Sequence, residues 1–197
     1  MDNTLKNYRS KTRKLVIIGM LGGISIFLGL TPLGIIHLPV MNLTIMHIPV
    51  IIGAILEGPL VGGSIGLIFG LFSMYQNITA PNLTSFIFMN PMIALLPRIL
   101  IGIVTYYVYD FIKNKFKNKS ISIGVASIAG TLTNTIGVLG LTYILYLDRY
   151  AAAKQISTDM VAGALLTVVG TNGIAEAIAS AVIAIPVITA LSKIRKF

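Results

Sequence analysis

The chain has 197 residues, of which 55% are hydrophobic and 11% are charged, and its mean hydropathy is +0.89. Because soluble domains contain roughly a quarter charged residues, this composition predicts a membrane protein, and the length predicts one domain formed by residues 1–197. The net charge is +9, and the basic residues lie in clusters between apolar segments, which argues against nucleic-acid binding. The absence of cysteine excludes disulfides, thiolate metal sites and a cysteine nucleophile.

Apolar segments that suit membrane-spanning helices of about 20 residues follow one another along the chain. The second is short, because Pro49 interrupts it near its start and Glu57-Gly58-Pro59 ends it. We therefore expect an all-α membrane protein, a six transmembrane helix bundle formed by residues 15–30, 46–56, 60–76, 90–112, 121–147 and 160–191.

The positions of lysine and arginine predict the orientation of these helices, since loops rich in them remain cytoplasmic. Five precede the first helix, four follow the fourth and three end the chain, whereas the outer loops hold two, Arg149 and Lys154. The three clusters share one side of the membrane only when an even number of helices separates them. Six helices therefore place both termini in the cytoplasm.

Two of the predicted outer loops differ from ordinary linkers. Residues 31–45 and 77–89 are apolar, contain proline and lack aspartate, glutamate, lysine and arginine. Two interpretations remain open. The loops either fold over the mouth of a pocket as lids or serve only as interfacial connections.

Glycines at every fourth residue mark two of the predicted helices. Small residues at this spacing let helices approach closely in lipid. In the third helix the pattern predicts packing inside the bundle, whereas in the first, which follows a basic terminus, docking to another membrane subunit is equally open. The glycines concerned are Gly58, Gly62, Gly66 and Gly70 in the third helix and Gly19 and Gly23 in the first.

No sequence motif predicts catalysis or metal binding. The stretch GGSIG around Ser64 fits G-x-S-x-G, but it lies in an apolar helix and not at the strand-to-helix turn that a serine hydrolase needs. His37 and His47 lack a metal-ligand spacing, and no P-loop motif for ATP occurs. We expect no enzyme activity, no metal and no cofactor.

Polar residues gather in the last two predicted helices. Asn172 and Glu176 are four residues apart and share a helix face, and Thr131 and Asn134 form a second polar patch. These side chains either line a common cavity or hydrogen-bond between helices.

Arg98 lies about two turns below the outer end of the fourth helix, directly after Pro97, which frees backbone groups there. A guanidinium binds a carboxylate through two parallel hydrogen bonds, so an anionic solute is the natural inference. An ion pair with Glu176, or an Arg98 side chain that extends to the interface, is the alternative. Pairing and solute binding are compatible if Glu176 orients Arg98.

Four stretches carry a resemblance to a known family: HIPVIIGAILEGP, PRILIG, TNT and TNGIAEA. In this order they resemble the substrate-binding S components of energy-coupling factor (ECF) vitamin transporters, over nearly the whole chain. The first stretch identifies the family better than the substrate. The other three are most similar to pantothenate-type members.

This resemblance implies a multi-pass protein of the bacterial plasma membrane that binds one vitamin with high affinity near its outer face. Such S components dock onto a membrane scaffold subunit that carries two cytoplasmic ATPases. Small residues in the first helix, commonly alanines, make this contact. Gly19 and Gly23 stand at the matching positions here.

The resemblance also leads to a hypothesis for the site, because pantothenate is a small carboxylate with hydroxyl groups and an amide. Arg98 is expected to hold the carboxylate, while Asn134 and Asn172 bind hydroxyl and amide groups. Glu176 either orients Arg98 or contacts the substrate. The remaining candidate substrate-binding residues are Thr131, Asn90, Gln76 and Tyr75.

Other functions stay open at this point. Riboflavin, folate or biotin would favour aromatic stacking, but the chain has no tryptophan. A stand-alone secondary transporter would take up its substrate without an ATPase, whereas an S component binds alone and transports only with its partners. An intramembrane hydrolase would depend on Ser64.

Overall fold

A computed structural model describes the backbone of residues 2–37, 42–116 and 118–194 and the side chains of residues 11–34, 44–116 and 118–193. Its helices and strands are α1 (Asp2–Leu30), β1 (Ile35–His37), β2 (Asn42–Thr44), α2 (Ile48–Glu57), α3 (Pro59–Thr79), α4 (Ser85–Phe88), α5 (Pro91–Lys115), α6 (Lys119–Lys154), α7 (Thr158–Val168) and α8 (Ile174–Ile194). A 3-10 turn, Pro32–Gly34, follows α1, and a π-helical turn, Val169–Gly173, joins α7 to α8.

The prediction of an all-α membrane protein is confirmed in the described part of the chain. Five helical segments there are long and apolar enough to cross a bilayer: Lys11–Leu30, Pro59–Thr79, Pro91–Lys115, Lys119–Lys154 and Thr158–Lys193. The second predicted helix corresponds to α2, whose 10 residues extend about 15 Å, half of the roughly 30 Å hydrocarbon core. Between α1 and α2, where we expected only a loop, β1 and β2 form a short antiparallel hairpin.

The short helix α2 lies inside the bundle. Its residues are apolar up to Glu57, and Val50, Ile51 and Ala54 have no exposed surface. It packs against α1, α3, α5 and α8. Pro49 lies in the first turn of α2. A proline at this position lacks only an N–H that has no partner in the helix. Pro49 therefore helps to begin α2, and the expectation that it interrupts this helix is wrong.

Gly62, Gly66 and Gly70 of α3 contact α5, which confirms the predicted packing inside the bundle for these three glycines. Gly58 differs: it lies in the turn before α3 with φ 102°, and a Cβ there would meet no described atom within 4 Å. A Cβ on Gly66 would overlap the backbone carbonyl of Arg98, and a Cβ on Gly70 would lie 2.7 Å from a carbonyl oxygen of α5. Gly62 and Gly102 likewise face each other. The two backbones touch, so α3 fixes the position of the α5 turn that carries Arg98.

Contacts between the helices define two ends of the bundle. At one end Arg13 Nη2 donates a hydrogen bond to Glu57 Oε1 at 2.6 Å and ties α1 to the turn between α2 and α3. The basic residues described at the start of α1, the end of α5 and the end of α8 lie there, so we name it the basic end. At the opposite end, Gln76 Nε2 donates to the carbonyl oxygen of Gly29 at 3.0 Å.

Two departures from regular α-helical geometry occur, one within α6 and one between α7 and α8. The 36-residue α6 departs from helical geometry at Tyr146, with φ −136° and ψ 28°, one residue before the predicted end of the fifth helix. The π turn Val169–Gly173 lies within the predicted sixth helix and contains Asn172. Such wide turns frequently occur at functional sites, because the extra residue shifts the side chains around it.

Candidate binding pocket

A cavity of about 360 Å³ lies toward the opposite end of the bundle. Ligand pockets of proteins typically have about 300–1,000 Å³, so it has room for a small molecule. Its wall combines ten polar and six apolar side chains. They come from the end of the hairpin and Met46 after it, from all the long helices except α1, from the π turn, and from the segment between α3 and α5. They are Thr44, Met46, Phe69, Ser73, Gln76, Asn77, Asn82, Phe88, Arg98, Asn134, Thr135, Val138, Leu139, Val168, Asn172 and Glu176.

Arg98 is anchored at the cavity wall by its own helix. Pro97 has no N–H, so the carbonyl of Ile93, four residues earlier, lacks its regular α-helical partner. Arg98 Nη1 donates a hydrogen bond to this carbonyl oxygen at 2.7 Å. The side chain therefore turns back toward the start of α5. The proline that frees the carbonyl thus provides the anchor for the guanidinium.

The rest of the guanidinium has aromatic and not acidic neighbours. Its Cζ lies 5.6 Å from the ring centroid of Phe69 and 5.0 Å from that of Phe88. Arg98 is 5% exposed, and its Nε has no hydrogen-bond partner among the described residues. A buried charged donor without a partner is costly. The guanidinium therefore keeps a donor that no described residue satisfies.

Glu176 does not pair with Arg98, so the expectation that it orients Arg98 through an ion pair is wrong for the described residues. Its Oε1 instead accepts hydrogen bonds from the backbone N–H and the Oγ1 hydroxyl of Thr44, at 2.9 and 2.7 Å. Thr44 is the last residue of β2, so the carboxylate ties the hairpin to α8. Its second oxygen, Oε2, has no hydrogen bond to any described residue.

The two predicted asparagines line the same cavity from different helices. Asn134 lies on α6, and Asn172 lies in the π turn. The Oδ1 of Asn134 is buried without a partner among the described residues, whereas the Oδ1 of Asn172 accepts from Thr171 Oγ1 at 3.2 Å. Buried amide oxygens normally have a donor, so Asn134 is suited to a donor of a bound molecule.

The four remaining predicted residues lie in different environments. Gln76 lines the cavity, whereas Tyr75 is 60% exposed on α3. Asn90 caps α5, where its Oδ1 accepts from a backbone N–H of the first turn at 2.9 Å. Thr131 is fully buried, with its Oγ1 3.0 Å from Nε2 of His47. The structure therefore does not bring Tyr75, Asn90 or Thr131 to the cavity wall.

The predicted outer loops contribute wall residues that no sequence pattern indicated. Thr44 lies in the first of these loops, at the end of the hairpin, and Asn77, Asn82 and Phe88 come from the second. Hydrogen bonds at 2.8 Å, from Ser85 Oγ to Asn77 Oδ1 and from the Asn82 N–H to Ser85 Oγ, hold the second loop in place. These contacts favour the lid interpretation over simple connections.

Two glycines of α1 face away from the bundle. A Cβ on Gly22 would lie 2.8 Å from Cδ1 of Ile68 on α3, but one on Gly19 or Gly23 would meet no described atom within 4 Å. The neighbouring Met20 is 62% exposed. The described part of the chain thus leaves the face formed by Gly19 and Gly23 free for another molecule.

Comparison with known proteins identifies the family of this chain. Residues 13–188 match the family described as "ECF transporter, substrate-specific component". The chain belongs to this family. As an S component it is a multi-pass protein of the bacterial plasma membrane and part of a transporter. Its family consists of transporter components and not of enzymes. In agreement with this, Ser64 lies within the regular helix α3, where its Oγ donates to the Leu60 carbonyl at 2.8 Å.

Two relatives of this S component are named after a substrate. The "Pantothenic acid transporter PanT" of Lactococcus lactis subsp. cremoris is 31% identical over 148 residues, which are 68% of this chain and 69% of the relative. The "Pantothenate transporter PanT" of Leuconostoc mesenteroides subsp. mesenteroides is 31% identical over 120 residues, or 59% of each chain.

Proposed function

We propose that this S component binds pantothenate with high affinity in the cavity around Arg98 and delivers it to an ECF module. One observation carries the proposal: a buried guanidinium, which among the described residues has a single hydrogen bond and an unpaired Nε, lies at the wall of a small cavity lined by both polar and apolar side chains. A carboxylate supplies the acceptors that such a guanidinium lacks. The names of the two relatives support the choice of pantothenate among carboxylates.

The other wall residues suit the remaining groups of pantothenate. Asn134 Oδ1 accepts from a hydroxyl or from the amide N–H, and Asn172 offers a second amide. Glu176 Oε2 accepts from a hydroxyl, while its Oε1 stays bound to Thr44. Gln76 adds a fourth polar group to this wall. Substrate recognition thus combines the guanidinium of Arg98 with hydrogen bonds to amide and carboxyl side chains.

Calorimetry with purified protein tests this assignment. We expect saturable pantothenate binding that Arg98→Ala weakens by about 10- to 100-fold, since hydrogen bonds to charged groups contribute about 1.5–3 kcal/mol. Arg149→Ala is the matched control, because Arg149 is exposed, contacts the ring of Phe86 and lies outside the cavity wall. Absence of pantothenate binding in the wild type, or equal binding by Arg98→Ala, contradicts the proposal. Mass spectrometry of molecules released from the purified protein then identifies another vitamin.

We further propose that the bundle crosses the membrane six times, with both termini in the cytoplasm. The basic residues described at one end of the bundle support this orientation, and α2 serves as the short second crossing. Since the chain has no cysteine, single cysteines report accessibility without background. An impermeant maleimide added to intact cells should label Lys154→Cys and leave Lys14→Cys unlabelled. The reverse pattern contradicts this topology.

The outward face of α1 at Gly19 and Gly23 is the proposed contact with the membrane scaffold, which carries two ATPases. Gly19→Leu should retain substrate binding and lose uptake in cells that contain scaffold and ATPases, because the side chain blocks close helix approach. Gly163→Leu is the control, since a Cβ there also meets no described atom within 4 Å. Uptake without any ATPase would instead indicate a stand-alone secondary transporter.

A further inference from the structure

We propose that Phe69 and Phe88 form an aromatic clamp on Arg98 that makes the pocket selective for a carboxylate over a neutral group of similar size. Phe88 is then a positioning residue for substrate selectivity, although it bears no polar group. This inference rests on the proposed function, because it concerns the same pocket and the same substrate charge.

Three contacts from three elements surround the guanidinium. Phe69 comes from α3 and is 5% exposed, Phe88 ends α4, and the Ile93 carbonyl belongs to α5. Both ring centroids lie within the roughly 6 Å range of a cation–π interaction with Arg98. The hydrogen bond at 2.7 Å fixes one corner of the group, and the rings restrict the rest.

The clamp determines how the charge is presented to a ligand. An arginine side chain has many rotamers, and ordering it upon ligand binding reduces affinity. Rings near the guanidinium hold it in place beforehand and exclude water, so its N–H groups remain for an acceptor in the cavity. A carboxylate accepts two such hydrogen bonds in one plane, which an alcohol does not.

Phe88 also makes this selectivity depend on the segment between α3 and α5. α4 is held by the hydrogen bonds among Asn77, Asn82 and Ser85, and it brings Phe88 to Arg98. Its neighbour Phe86 contacts a different arginine, Arg149, with 4.4 Å between ring centroid and Cζ. The same short helix thus offers a test residue and a matched control.

The test measures two dissociation constants, one for pantothenate and one for the alcohol analogue in which CH₂OH replaces the carboxylate. We expect Phe88→Leu to reduce the preference for the carboxylate by about tenfold, mainly through weaker pantothenate binding. Phe88→Tyr should retain the preference because it keeps the ring, and Phe86→Leu should retain it because Phe86 lies outside the cavity wall. Equal weakening of both ligands by Phe88→Leu overturns the clamp, since the ring then only fills space.

A ligand-free measurement separates this inference from the proposed function. In the NMR spectrum of protein labelled with ¹⁵N-arginine, the nearby rings should shift the resonance of the Arg98 Nε–H. This resonance is assigned as the one that disappears in Arg98→Lys. Phe88→Leu should move this resonance toward the position of exposed arginines, while Phe86→Leu should leave it in place. Failure of wild-type protein to bind pantothenate contradicts the proposed function alone, whereas an unmoved Arg98 resonance in Phe88→Leu contradicts the clamp.

Discussion

Gly66→Ala tests whether the close contact of α3 with α5 sets the position of Arg98. The added Cβ would overlap the carbonyl oxygen of Arg98 and lie 2.7 Å from its carbonyl carbon, about 0.8 Å less than the roughly 3.5 Å of an optimal carbon–carbon contact. The obstacle is backbone and not a flexible side chain, so the helices must separate. Overpacking of this kind costs about 1–3 kcal/mol.

Two measurements follow from this displacement. The apparent unfolding temperature in detergent should fall, and pantothenate affinity should drop by about tenfold, since a binding group displaced by more than about 0.5 Å loses its productive geometry. Gly63→Ala is the control on the adjacent position of α3, because its Cβ would lie an ordinary 3.7 Å from Cγ2 of Ile99. If both variants behave alike in stability and binding, α3 does not set the position of Arg98.

Three further substitutions address single contacts. Thr44→Val removes one of the two donors to Glu176, so bound pantothenate should dissociate about tenfold faster. Stopped-flow displacement measures this rate. An unchanged rate shows that this contact does not slow the release of pantothenate. Thr131→Val takes the hydrogen-bond partner from buried His47 and should cost about 1–3 kcal/mol of stability, whereas an unchanged unfolding temperature indicates that His47 finds another partner. Pro97→Ala restores an N–H that competes with Arg98 for the Ile93 carbonyl oxygen. Thermal stability should therefore rise, while the affinity for pantothenate measured by calorimetry should fall. A rise in both contradicts the role of this carbonyl in holding Arg98.

Much of the helical framework could be predicted, because hydrophobicity and proline act locally. Each of the six predicted segments contains a helix, and the predicted end of the fifth lies beside the break at Tyr146. The hairpin was not predicted because the alternation of polar and apolar side chains is confined to residues 42–45, too short a pattern to indicate a strand, and Ile35 and Ile36 of β1 are both apolar. Its pairing depends on long-range contacts such as that between Thr44 and Glu176, 132 residues apart.

For the pocket, the charged and amide residues could be selected from the sequence because polar groups inside apolar segments are costly and therefore conspicuous. Their partners could not be assigned. An ion pair was one expected solution for Arg98, but the free carbonyl below Pro97 and two rings take that place. Phenylalanines are common in membrane helices, so nothing in the sequence distinguished Phe88 from its apolar neighbours.

The inward side of α1 has a mechanical consequence for any partner that binds its outward face. Side-chain hydrogen bonds join α1 to the rest of the bundle at three heights: from Arg13 to Glu57, from Ser25 to the Met46 carbonyl, and from α3 to the Gly29 carbonyl. A helix fastened at Arg13 and again along its last two turns, at Ser25 and Gly29, does not swing independently. A force applied to the face formed by Gly19 and Gly23 would therefore move α1, the pocket and a bound substrate together as a rigid body.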